Sequence, residues 1–330
     1  MTGRTKQTLK LTLRILVTTA LLAWVFNQVD LGQFVGTVKS AKWKYLLGVW
    51  AYTVVFFWIE SLVMQIILRK QGCEVKFNTI FGASALTSLY GMVLPGILST
   101  GVKWYVLQRD TGKGIHVLSG MLYNQFILLL VMAAVGLSAV IITNPATVLL
   151  TDTRNAWLLP VVCAILLAAV VGLWLLMLSP RAGGLIIKSL GVLLKVLPQK
   201  VRHKGADVLG QFASFQTAGI WFHLKVAAWT LLATLVACIL QYDAAAKAAN
   251  ISVPLGVSCW LCAAVIGLGR IPISVSNLGV REVTLVGVLA FYGVEKSAAL
   301  VMSMILFSSA VFMALIGAGY QIWWMMRAKR

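Results

Sequence analysis

The chain has 330 residues, of which 60% are apolar and 11% charged, and its apolar runs recur along nearly the whole length. A soluble core would need polar faces at helical spacing, which are mostly missing, and the alternation of an outer-membrane barrel is absent. The composition is that of an all-α polytopic membrane protein, and the net charge of +19 belongs to loops that collect Lys and Arg beside anionic lipid, not to a nucleic-acid surface.

In chain order, the cations Arg4, Lys6, Lys10 and Arg14 precede an apolar run. Asn27-Gln28-Val29-Asp30 follows that run in place of a small-residue cleavage site. This predicts an uncleaved first membrane helix over roughly 9–29. A second helix is predicted over roughly 45–68 and carries Glu60 inside it. Two readings stand for Glu60: an interfacial carboxylate paired with a nearby cation, or a polar group facing a substrate path. The next apolar stretch, roughly 79–107, is interrupted at Val93-Leu94-Pro95-Gly96. Its halves, about 15 and 11 residues, fall short of the roughly 20 that span a bilayer, so a re-entrant hairpin is predicted. Lys103, Arg109 and Asp110 follow the break.

Further helices are predicted over roughly 117–142, with Tyr123-Asn124-Gln125 in the first half, and over roughly 156–178. The stretch 181–215 mixes Lys188 and Lys195, seven apart, with apolar residues, which reads as a basic amphipathic surface helix. A partner-binding helix is the second reading of it. Another span, roughly 221–241, precedes Asp243 and Lys247, and a last one runs roughly 298–326. Between them lies Gly267 to Leu289, where Arg270, Pro272, Ser276, Asn277, Gly279, Arg281 and Glu282 interrupt two apolar runs. The pattern predicts a helix, a break near 272–279, and a helix starting near Val280. Broken backbone at membrane depth survives where it is buried in protein or lines a wet cavity, and transporters build substrate sites from it.

Charge placement supports six full spans plus two re-entrant hairpins, with both termini cytoplasmic in an inner membrane. That arrangement puts 20 of the 28 Lys and Arg inside. The hairpins then enter from opposite faces. Pro95, Gly101 and Lys103 echo Pro272, Gly279 and Arg281 at nearly equal spacing, the signature of an inverted repeat with a site between its halves.

Arg281 and Arg270 flank the second break, and Arg presents a fork matched to phosphate. The other reading of Arg281 is a structural lock with Glu282 or a distant carboxylate; because adjacent residues point in different directions on a helix, Arg281 and Glu282 are not expected to pair with each other. The five cysteines, including Cys259 and Cys262, read as small buried residues without metal-ligand partners, and Cys73 as a loop thiol. Neither a nucleotide loop nor a metalloenzyme or nucleophile motif is present, so no cofactor and no enzymatic activity are expected.

The stretch from Arg270 to Glu282 resembles the transmembrane region of lysylphosphatidylglycerol synthases, whose pattern is approximately Pro-Ile-Ser-x-x-Gly-Leu-Gly-x-Arg-Glu. Pro272, Ile273, Ser274, Leu278, Gly279, Arg281 and Glu282 match it, while Asn277 stands where the pattern has its first glycine. Leu94-Pro95-Gly96, with Ser99, Thr100 and Lys103, is similar to the family's other motif. The resemblance implies a single flippase-like domain without the soluble synthase domain. Such a domain would move an aminoacylated phosphatidylglycerol-like phospholipid or a polyprenyl-linked headgroup. Its partners would be anionic phospholipid or polyprenyl phosphate, with a lipid-synthesis enzyme as a further candidate. The expected substrate site comprises Arg281, Glu282, Arg270, Pro272, Ser274, Gly279, Lys103, Pro95 and Glu60. The competing expectations are an accessory subunit of an envelope-synthesis complex and an enzyme acting on lipid-linked substrates.

Overall fold

A computed structural model describes residues 31–92, 94, 96–149, 153–178, 205, 207–208, 210–211, 214–270 and 278–328. The expected first helix, most of the basic 181–215 segment, and Pro95, Pro272 and Ser274 lie outside the described residues. The described chain is helical, with no strand. Its principal helices are α1 (Leu31–Ser40), α2 (Trp43–Lys70), α3 (Phe77–Gly91), α4 (Gly96–Thr111), α5 (Gly114–Thr143), α6 (Leu158–Leu178), α7 (Ile220–Ala248), α8 (Leu255–Gly269), α9 (Val280–Phe291) and α10 (Lys296–Ala328).

Five of these, α2, α5, α6, α7 and α10, are long and apolar enough to cross a membrane. By contrast α3 and α4, of 15 and 16 residues, and α8 and α9, of 15 and 12, are shorter than a span and pack against each other in pairs. At 1.5 Å per residue each rises at most about 24 Å, less than the roughly 30 Å hydrocarbon core.

α7 departs from the expected end at Gln241. It continues through a π-helical turn, Val236–Gln241, into Tyr242–Ala248. Asp243 and Lys247 therefore do not belong to a loop; they form an i,i+4 pair at 2.6 Å on the helix surface. The turn aims Gln241 Nε2 at Thr53 Oγ1 of α2 (2.9 Å) and Ser309 Oγ of α10 (3.2 Å), so the added polar side chain is satisfied inside the bundle.

Close approach of backbones depends on small residues. A Cβ on Gly317 of α10 would lie 2.4 Å from the Ala85 carbonyl oxygen of α3, and one on Gly136 of α5 would lie 2.6 Å from Ala263 Cβ of α8. Gly256 approaches Thr143 in the same α5–α8 interface, so the two helices run antiparallel with 136 beside 263 and 143 beside 256. At Gly317 the obstruction is backbone, which no rotamer relieves. Gly317→Leu is expected to cost about 3 kcal/mol or more, while Gly319→Leu, whose Cβ meets open space, stays near wild type. Unfolding midpoints in detergent micelles check the pair.

Cys73 is in the loop after α2, as expected, yet it is buried, and burial pushes its thiol pKa up. The five cysteines are unpaired and buried.

The 3₁₀ turn Ser214–Thr217 docks onto the bundle through α7 and α2. The His223 ring lies 3.0 Å from the Phe215 carbonyl through Nε2 and 2.6 Å from the Tyr123 hydroxyl through Nδ1. Nε2–H donating to the carbonyl leaves Nδ1 to accept from the tyrosine. Tyr123→Phe strands that buried nitrogen and is expected to destabilise the protein by about 1–3 kcal/mol, read in the same unfolding experiment.

Candidate functional site

Glu60 is ten residues from the Lys70 end of α2, and Asn124 is ten residues from the Gly114 end of α5. Both ends adjoin the same side of the bundle, so the two side chains meet at a common depth, about 15 Å of helix rise from it. Glu60 is 9% exposed and Asn124 7%. Asn124 Nδ2 approaches Glu60 Oε2 at 3.4 Å, a long contact.

Two cations lie within electrostatic range of this carboxylate, neither at ion-pair distance. Lys103, on α4 after the first break, and Arg270, the residue that caps α8 before the second, are both electrostatic partners of Glu60. Arg270 Nη1 also donates to Gln125 Oε1 at 2.9 Å. The cations whose field reaches Glu60 are carried by the two short helix pairs.

The cluster is incompletely bonded. Among the described residues, Glu60 Oε1, Asn124 Oδ1 and Gln125 Nε2 are buried without a hydrogen-bond partner. Buried polar atoms are ordinarily satisfied, and orphans cost about 1–3 kcal/mol each. Three of them on adjacent side chains mark a place where a polar ligand or water completes the bonding. Asn124 and Gln125 were not among the expected site residues, although two amides inside an otherwise apolar helix were the signal for them.

Arg281 and Glu282 form a second cluster, and here the expectation that they would not pair fails. Arg281 Nη2 lies 2.5 Å from Glu282 Oε1, with both side chains buried. Arg281 Nε donates to Ser303 Oγ at 2.8 Å, Ser303 Oγ donates to Glu282 Oε1 at 2.8 Å, and the guanidinium lies 5.4 Å from the Phe307 ring centre. The cause is the helix start. Gly279, at φ 85°, adopts a left-handed conformation suited to glycine, and Glu282 reaches back to accept from the Gly279 N–H at 2.6 Å. That folds the carboxylate back over the first turn, where the long Arg281 side chain reaches it. Ser303 and Phe307, four apart on α10, close the cage, so α9 is fastened to α10 at its first turn.

Of the nine expected site residues, the structure puts Lys103 and Arg270 within electrostatic range of Glu60 and bonds Arg281, Glu282 and Gly279 into a second cluster. Residues 11–319 match the family described as Lysylphosphatidylglycerol synthase TM region. The chain belongs to that family. It is therefore a multi-pass membrane protein of a lipid-handling family. No curated protein and no solved structure matches it. The family motif's Gly279, Arg281 and Glu282 are the residues that build the start of α9, which gives the motif a physical reason apart from any ligand.

Proposed function

We propose that the chain translocates a phosphate-bearing lipid headgroup across the membrane, passing it through the Glu60–Lys103–Arg270 cluster. The observation that carries this reading is a buried, partly unbonded carboxylate beside Asn124, with Arg270 bonded to the adjacent Gln125 and Lys103 within electrostatic range. A phosphate satisfies Lys103 and Arg270 and can accept from Gln125 Nε2, while Glu60 Oε1 and Asn124 Oδ1 accept from headgroup ammonium or hydroxyl groups. An aminoacylated phosphatidylglycerol-like lipid or a polyprenyl-linked headgroup has that chemistry. Each short pair enters and leaves on one face, from opposite faces of an inner membrane, with both termini cytoplasmic, and each supplies one cation to the cluster. Arg281 and Glu282 serve by holding the start of α9, which fixes one wall of the route. The lipid leaves chemically unchanged.

Proteoliposomes test it. Phosphatidylglycerol with a fluorescent label, bleached from outside by an impermeant reductant, is expected to lose inner-leaflet signal when the protein is present. Protein-containing liposomes indistinguishable from empty ones would remove the translocator reading and favour a non-transporting accessory subunit.

A further inference from the structure

A groove of about 350 Å³ runs between α5 and α8, outside the polar cluster but ending at it. Its lining is almost entirely apolar, from Leu128 to Val140 on α5 and from Trp260 to Gly267 on α8, and Arg270 closes one end. The twelve residues between Leu128 and Val140 give it about 18 Å of length. One leaflet's hydrocarbon depth is about 15 Å, half of the bilayer core. The floor is shallow because small residues, Gly136 and Ala263, let the helices approach. At Gly267 an added Cβ meets nothing within 4 Å, so the space beside it is open. Trp260 also lines the groove, and its indole N–H has no hydrogen-bond partner among the described residues.

We infer that this groove is an acyl-chain subsite, holding one hydrocarbon chain of a glycerophospholipid whose phosphate rests on Arg270. The inference rests on the headgroup reading given above and adds which surface the lipid occupies. The apolar trough, of one chain's length, alone would fit any annular lipid. The cation at its end, bonded to Gln125, makes it specific: the charge anchors the phosphate and the trough receives the chain attached to it. A chain held there stays in an apolar environment while its headgroup is inside the protein, which keeps the cost of headgroup passage from being compounded by exposure of the tail.

Native mass spectrometry of delipidated protein, titrated with dioctanoyl, dimyristoyl and dipalmitoyl phosphatidylglycerol, tests the subsite. Wild type is expected to bind more tightly as the chain lengthens to fill the groove. Gly267→Phe fills the open space and is expected to weaken the dipalmitoyl lipid roughly tenfold or more, the factor that loss of two buried methylenes gives. Gly319→Phe, placed in open space on α10, is expected to bind as wild type does. Should Gly267→Phe not fold, Gly267→Leu gives the same comparison with a smaller plug. Equal dipalmitoyl affinity in wild type and a folded Gly267 variant would overturn the subsite, as would preference for a polyprenyl phosphate over every phosphatidylglycerol. If Arg270→Ala still weakens binding in that case, the groove fails and the headgroup site stands. If Arg270→Ala changes nothing either, both fail.

Discussion

Glu282→Ala is expected to destabilise the folded protein by about 3–5 kcal/mol, the cost of leaving a buried guanidinium without its carboxylate. Three losses act together. Arg281 Nη2 and Ser303 Oγ lose the acceptor they share, and the Gly279 N–H at the start of α9 loses its cap. Arg281 is 8% exposed and packs beneath Phe307, so it cannot reach water without opening the α9–α10 contact. A paired control separates charge from packing. In Arg281→Met with Glu282→Gln no charge is buried, and the glutamine can still accept from Gly279. That double variant is expected to recover most of the loss, because replacing both partners of a buried pair is far milder than removing one. Denaturant midpoints in detergent micelles compare the three proteins. A Glu282→Ala protein as stable as wild type would show that the pair is not holding the helix start.

Arg270→Ala and Lys103→Ala are expected to behave in the opposite way, with stability near wild type and lipid binding reduced. Lys103 is only partly buried, and Arg270 is exposed to the groove. Removing either leaves Glu60 with one cation still within electrostatic range. Charge-assisted hydrogen bonds are worth roughly 1.5–3 kcal/mol, so each substitution is expected to weaken phospholipid binding roughly ten- to hundredfold. Transport in proteoliposomes is expected to fall with it. Two variants near the two breaks are thus distinguished by readout: Glu282→Ala fails in stability, Arg270→Ala in lipid.

The contrast shows what the sequence could convey. Length and hydrophobicity placed α2, α5, α6 and α10 within a few residues, because a bilayer imposes its own period-free criterion. Proline and glycine marked both interruptions. The end of α7 was misplaced because Asp243 and Lys247 looked like the residues after a span, whereas a π-helical turn and an i,i+4 pair accommodate them within a helix. The Arg281–Glu282 contact was misjudged for a related reason. The rule that neighbours on a helix diverge applies to helix interiors, and here Glu282 bends back to cap the first turn. That Lys103 and Arg270 come within electrostatic range of Glu60 was not legible, since it depends on how three segments far apart in sequence pack. Each residue was recognisable as a polar group where apolar ones belong, but its partner was not. The apparent repeat suggested that Lys103 and Arg281 play matched roles; in the structure it is Lys103 and Arg270 that both lie in the field of Glu60.

The most direct test of the central claim is native mass spectrometry of wild type and Arg270→Ala purified in gentle detergent, with the retained lipid released and identified. A phosphate-bearing lipid retained by wild type and depleted at least tenfold in the folded variant is the predicted result. Equal retention of the same lipid by both proteins would contradict the assignment of Arg270, and with it the headgroup site around Glu60.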